Sequence, residues 1–376
     1  MKSVAILVLI ASAAMAQSQR ARDLGVPFDG TPGTWNAITD ITGVEVGHTT
    51  LIEGDSVRTG VTVVWPRGKA SDDPTFGGWF AQNGNGEMTG TTWLEESGFL
   101  EGAVFITNTH SVGTVRDAAI AWQVQHKRKL TMNTVGEDGF WSLPIVAETW
   151  DGHLNDINGF HVKPEHVFQA MDGAASGHVA EGNVGGGTGM ICFGFKGGIG
   201  TSSRVAGAYK VAALVQCNCG VKRQLRIAGV PVGQELAAAT TASTALPKED
   251  TGSIIIVVAT DAPLLPTQLK RLAHRATMGL ARLGATSGNG SGDIFIAFST
   301  ANPNVAKPAG GVANVSMVQN DSLNPIFEAT VQATEEAIVN ALVAAQDMTG
   351  VKGHKVTALP HDDLQRLLKK YNRLPN

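Results

Sequence analysis

Gly252-Ser253-Ile254-Ile255-Ile256-Val257-Val258-Ala259-Thr260 runs from a small, polar loop straight into an apolar, β-branched segment. Residues 254–259 have the length and composition of a strand covered on both faces in the middle of a sheet. Immediately upstream, TASTALPKEDT (241–251) is small, charged and interrupted by proline, as an exposed loop is. A loop feeding a core strand is a place where a chain can be cut and stay folded. A cut before Ser253 would leave a hydroxyl and an α-amine on one residue. An α-amine titrates at about 7.7–8.0, so part of it is a free base near neutrality. Nucleophile and base would then share one residue. Taken alone, Gly-Ser before a strand is more simply a turn.

Working outward, residues 267–283 place Leu269, Leu272, Ala273, Ala276, Leu280 and Leu283 at i, i+3, i+4 spacing, and Gly284 stops the helix so predicted. A strand over 293–298 follows the loop SGNGSG, and a second amphipathic helix spans about 326–345. On the other side, residues 38–66 alternate like strands, with 61–65 the best of them, ended by Pro66. Residues 102–109 read as a strand and 111–124 as a helix. The glycine-rich region 182–204 reads as two strands, around 189–195 and 201–209, joined by a glycine hairpin, and 211–218 continues the set. Strands and helices come in runs rather than strict alternation, which predicts an α+β fold with helices layered on sheets.

The chain has 376 residues, 43% of them hydrophobic, and a formal charge of −4, enough for a large core and without the basic surplus of a nucleic-acid binder. His126-Lys127-Arg128-Lys129 is too short and too free of aromatics for that role and reads as a solvated helix end. Lys2, the apolar residues 4–14 and the Ala14-Met15-Ala16 pattern before Gln17 read as a secretory signal covering 1–16, with export to a periplasm expected. No later segment is long and apolar enough to span a membrane. Cys192, Cys217 and Cys219 are odd in number and lack a zinc-site pattern, so they read as small core residues, with a single bridge left open.

GNVGGGTG lacks the GK[ST] ending of a phosphate loop, the ten histidines form no HExxH, and no GxSxG elbow is present. What remains is hydroxyls and carboxylates. Ser291-Gly292-Asp293 opens a strand, where alternation sets residues 291 and 293 on one side. Glu148-Thr149-Trp150-Asp151 joins carboxylates to an aromatic, as a holder for a cationic substrate end or as a solvated turn.

The blocks GNGEMTG (84–90), AETWDG (147–152), LNDINGFHV (154–162), GNVGGGTGMICFGFKGGIGTSSR (182–204), VQCNCG (215–220), Gly252-Ser253 and SGNGSGDI (287–294) together resemble the L-aminopeptidase/D-esterase/amidase family, which includes the bacterial β-peptidyl aminopeptidases. The resemblance spans nearly the whole chain after the signal. It implies a four-layer α-β-β-α sandwich, N-terminal-nucleophile-like with its own topology, self-cleaved between Gly252 and Ser253. An α subunit (17–252) and a β subunit (253–376) would form one αβ domain. Ser253 would be the nucleophile and Asn218 the oxyanion donor. Ser291 and Asp293 would orient the nucleophile and its amine, although some members carry Glu at the position of Asp293. Glu148 would meet the substrate's ammonium group. Trp150 stands where some relatives have Tyr, and its indole can only donate. Gly252 would tolerate the backbone strain of an N→O acyl shift. No cofactor or metal is implied. The implied partners are short peptides or amino-acid amides and esters with a free β-, D- or L-amino terminus, and further copies of the chain in a tetramer or larger. Neither nucleic acid nor, after signal removal, membrane is among them. The alternatives are an acyltransferase like the ornithine acetyltransferases, which use threonine, and a non-catalytic exported binding protein.

Overall fold

Ser253–Thr260 is a strand in which all eight residues are buried. Its two faces enter two different cores. Ile254, Ile256 and Val258 pack with Leu269, Leu272, Ala273 and Ala276 of the helix Pro266–Arg282. Ile255, Val257 and Ala259 pack instead with Val104, Ile106 and Ala147 of a second sheet. A strand covered on both faces needs apolar residues at every position, which is why this run shows no alternation.

In the computed structural model, residues 19–128, 134–135, 139–238, 252–306 and 311–374 are described. The expected export segment 1–16, the loop 241–251 and Lys129 lie outside the described residues. Ser253–Thr260 sits inside a six-stranded sheet ordered Gly198–Ala206, Tyr209–Asn218, Ser253–Thr260, Gly292–Ser299, Thr75–Gly84 and Phe99–Leu100. It pairs antiparallel with Tyr209–Asn218 and parallel with Gly292–Ser299, to which the helix Pro266–Arg282 provides the crossover. The second sheet has four strands in the order Glu45–Glu53, Val57–Trp65, Val104–Asn108 and Ile145–Thr149, the last pair parallel.

Each sheet carries helices on its outer face. The helix Asn324–Ala344 lies across the first two strands of the six-stranded sheet beside Pro266–Arg282. Val115, Ala119, Val167 and Met171, from the helices Val112–Gln125 and Pro164–Asp172, cover Val61, Val63, Phe105 and Val146 of the four-stranded sheet. The result is the α-β-β-α sandwich that the resemblance implies. An N-terminal segment is tied to it by charge: Arg22 and Arg204 both bind Glu336, with Nη2···Oε2 distances of 2.8 and 2.6 Å. No described helix is long and apolar enough to cross a membrane.

The structure corrects several sequence expectations. Residues 189–195 are not a long strand. A 3-10 turn over Gly185–Gly187 leads into a minimal hairpin, Ile191–Cys192 against Phe195–Lys196, turning through positive φ at Phe193 and Gly194. The next strand is Gly198–Ala206, and Tyr209 belongs to its antiparallel neighbour. Glycine runs carry no side-chain period, so their register is not legible locally. Cys192 and Cys217 form a disulfide, and the Cys219 sulfur lies 3.9 Å from that of Cys192 and 3.8 Å from that of Cys217. The bridge that the sequence leaves open therefore exists. Arg128 is not a solvated helix end: it binds Asp72 and the carbonyl oxygens of Lys69 and Ser71, and lies over Trp65 and Trp122. The strands Thr75–Gly84 and Ile145–Thr149 and the helix His361–Lys370 are additions to the elements expected from sequence.

Candidate active site

Ser253 is the first residue of its strand and pairs with Asn218, the last residue of Tyr209–Asn218. That register sets the two side by side at one end of the six-stranded sheet. Ser253 has the same parity as Ile255 and Val257, so its side chain belongs to the face between the two sheets. A Cβ on Gly252 would collide with the carbonyl oxygen of Asn218. Crowding against Asn218 by itself calls for glycine at this position.

The turn before Gly292–Ser299 wraps around this end. The Gly292 N–H donates to Ser253 Oγ at 3.0 Å. The Ser291 hydroxyl donates to Asp293 Oδ2 at 3.2 Å, and the other carboxylate oxygen accepts the Ile254 N–H at 3.2 Å. Residues 291 and 293 are on one side, as expected, and together they bracket Ser253. Ser253, Asn218, Ser291 and Asp293 are all buried, yet Ser253 and Asn218 keep 7% and 6% of their surface open to solvent.

The Asn218 side chain is held at both ends. Its Oδ1 accepts the Ile191 N–H at 2.8 Å and its Nδ2 donates to the Trp150 carbonyl at 3.0 Å. Among the described residues the second Nδ2 hydrogen has no partner. Trp150 therefore contributes its backbone here, and the residue is 51% exposed.

Glu148 arrives from the other sheet, buried on Ile145–Thr149, and is no solvated turn. Gly86 bridges the gap between it and the turn: a Cβ on Gly86 would lie 3.1 Å from Gly292 Cα and 3.2 Å from Glu148 Oε1. A side chain at position 86 would crowd both that backbone and that carboxylate. The Glu87 N–H donates to Glu148 Oε1 at 2.9 Å and the Thr109 hydroxyl to Oε2. Burial pushes the Glu148 carboxyl above the usual range, and the Thr109 and Glu87 hydrogen bonds only partly offset it. A cation placed against such a carboxylate would stabilise its charged form.

Ser253, Asn218, Ser291, Asp293 and Glu148 thus converge at the mouth between the two sheets. Sequence reasoning missed the backbone donors Gly292 and Ile191, the Thr109 hydroxyl and the spacer Gly86. Backbone donors leave no residue-type signal, whereas the glycines of 84–90 and 287–292 are visible in the sequence and acquire a use only in the fold.

The Peptidase family S58 profile matches residues 36–356. The chain belongs to that family. It is 56% identical over 391 aligned positions to the β-peptidyl aminopeptidase BapA of Sphingosinicella microcystinivorans, covering 98% of this chain and 96% of that one. Its identity to the BapA of Sphingosinicella xenopeptidilytica is 47%, covering 97% and 94%. Among solved structures, the L-aminopeptidase D-Ala-esterase/amidase of Ochrobactrum anthropi, described as a variant of the Ntn hydrolase fold, superposes with a TM-score of 0.86 at 46% identity over 95% of this chain and 99% of that one. A Burkholderia sp. β-aminopeptidase gives 0.86 at 47% identity over 95% and 100%. This S58 chain is accordingly an aminopeptidase with an Ntn-type fold. The acyltransferase alternative finds no support.

Proposed function

We propose that this S58 aminopeptidase cuts itself between Gly252 and Ser253 and then uses Ser253 to remove N-terminal β-amino residues from short peptides and amides. The observation that carries the reading is the convergence of Ser253, Asn218, Ser291 and Asp293 at one sheet end, with Glu148 facing them across Gly86. In the cut form, Ser253 Oγ attacks the scissile carbonyl and its own α-amine accepts the proton. The second Nδ2 hydrogen of Asn218 meets the developing oxyanion, a contact of the kind typically worth about 3–4 kcal/mol. Asp293 holds the Ile254 amide and the Ser291 hydroxyl, so the residue after the nucleophile and the hydroxyl beside it cannot drift. The amine of Ser253 then protonates the leaving amine, and water releases the acyl group. These steps draw only on groups of the chain itself.

Glu148, as carboxylate, receives the substrate's ammonium group and so restricts cleavage to the first residue of a chain. The preference for β-amino residues rests on the β-peptidyl relatives at 56% and 47% identity. The proposal extends to export directed by residues 1–16, to an α subunit 17–252 with a β subunit 253–376, and to assembly of the αβ units into an oligomer. It is tested by turnover of β-alanyl and D-alanyl amides with the amino group free or acetylated. Hydrolysis of the free-amine substrates and its loss on acetylation are expected. Equal hydrolysis of the acetylated amides would contradict it.

A further inference from the structure

Beneath the site lies a lysine that the mechanism above does not use. Lys196 is fully buried, at 0% exposure, in the short Phe195–Lys196 arm of the glycine-rich hairpin. Its ammonium donates to three backbone carbonyls: Met190 at 2.8 Å, Gly197 at 2.8 Å and Gly187 at 3.3 Å. A buried lysine without a carboxylate in hydrogen-bond contact is uncommon, because the desolvation cost is met only by neutral oxygens. Burial accordingly brings its pKa down to about 7, against the opposing pull of the Asp151 charge.

One of those three carbonyls leads directly to the site. The Met190 carbonyl belongs to the peptide group whose N–H is that of Ile191, and Ile191 N–H donates to Asn218 Oδ1 at 2.8 Å. A cation on the oxygen of an amide draws electrons from its nitrogen and makes the N–H a stronger donor, and chains of such bonds reinforce one another. The same holds one link further on, where a donor on Oδ1 of Asn218 strengthens the Nδ2 hydrogens. On the other side, Nδ2 is anchored by the Trp150 carbonyl at 3.0 Å, one residue before Asp151.

We propose that Lys196 is a positioning residue for the reaction: through the Met190–Ile191 peptide it orients and polarises the Asn218 amide, so that the free Nδ2 hydrogen is aimed and strengthened as an oxyanion donor. The inference rests on the role assigned to Asn218 above, and a double-mutant cycle separates the two. Turnover is expressed per cut chain throughout. Asn218→Ala alone lowers kcat by roughly 10²–10³. Lys196→Met, which keeps an unbranched side chain one atom shorter and removes the charge, lowers kcat by roughly 10–10² with KM within about threefold, as expected when an interaction is made only in the transition state. In the Asn218→Ala background the same Lys196 substitution changes kcat by less than about threefold. Lys196→Gln, which retains donors for the carbonyls, recovers part of the loss.

A purely structural lysine would cost the same factor in both backgrounds, and that result overturns the proposal. So does full kcat in a folded Lys196→Met enzyme. If Asn218→Ala retains full kcat, the site reading itself fails and takes this inference with it. Should neither Lys196 variant fold, hydrogen exchange on the intact wild-type enzyme decides: an Ile191 amide as protected as the central strands supports the linkage, and rapid exchange overturns it.

Discussion

Two of the buried charged centres among the described residues are built to opposite plans. At one, Glu336 accepts from Arg22 at 2.8 Å, from Arg204 at 2.6 Å and from Asn36 at 2.5 Å. Burial alone would push Glu336 up, yet the Arg22 hydrogen bonds and the Arg204 and Arg22 charges hold it below the usual carboxylate range. At the other, the partners of Lys196 among the described residues are all carbonyls, and Asp151 accepts from Asn155 at 3.1 Å with Thr59 and Asn108 nearby. Burial there wins, and Asp151 is pushed up to about 7. The first centre is a clasp between the N-terminal segment, a strand and a helix. The second is left electrostatically tense, and it adjoins Asn218, the proposed oxyanion donor.

The largest expected effect breaks the clasp. Glu336→Ala leaves Arg204 buried without its counter-charge, which costs about 3–5 kcal/mol, read as a lower urea midpoint. Turnover per folded molecule stays within about twofold of wild type. A collapse of turnover in the folded fraction would dissolve the distinction between the two centres.

Glu148→Gln probes the tense side at the substrate. Losing a charge-assisted contact worth about 1.5–3 kcal/mol raises KM for free-amine amides by roughly 10–10²-fold, with little change in melting temperature. In the wild type, KM rises as pH falls through the raised Glu148 pKa, because only the carboxylate attracts an ammonium group. A Gln variant that keeps both KM and its pH dependence would remove Glu148 from the site.

A third effect is a matter of pH. Asp151 binds its proton more tightly folded, about 7 against 3.8, so the folded state loses stability as pH rises between those values. Lys196 binds its proton less tightly folded, about 7 against 10.5, so stability returns as pH rises from 7 towards 10.5. Together they place a stability minimum near neutrality. Glu336 behaves the other way, its stabilisation being lost as pH falls through its lowered pKa. Urea midpoints across pH should show the falling limb between about 4 and 7 in the wild type and its absence in Asp151→Asn. Identical profiles would mean that Asp151 is not held as described.

Much of this is legible in the amino-acid sequence. The strand at 253–260 and the helix after it announce themselves by composition and period, and the structure brings the blocks around Asn218 and Ser291-Gly292-Asp293, singled out in the sequence, to one end of the sheet. Other parts cannot be read that way. Glu148 lies on Ile145–Thr149, whose burial depends on parallel pairing with Val104–Asn108, a contact invisible to local pattern. Lys196, in FKGG, looks like any surface lysine, and only the fold reveals three carbonyls around it. Trp150 stands out in the sequence for its indole, whereas its carbonyl is what reaches Asn218.

Central to the proposed function is that Ser253 becomes an N-terminus. Cys192, Cys217 and Cys219 all precede Gly252, so no disulfide can hold the two pieces together once the chain is cut. Denaturing the active enzyme without reductant and sequencing the N-terminus of the smaller polypeptide tests this directly. We predict two polypeptides, the smaller beginning Ser-Ile-Ile-Ile-Val-Val, and a single inactive chain for Ser253→Ala. An active preparation that remains one uncut chain would contradict the account.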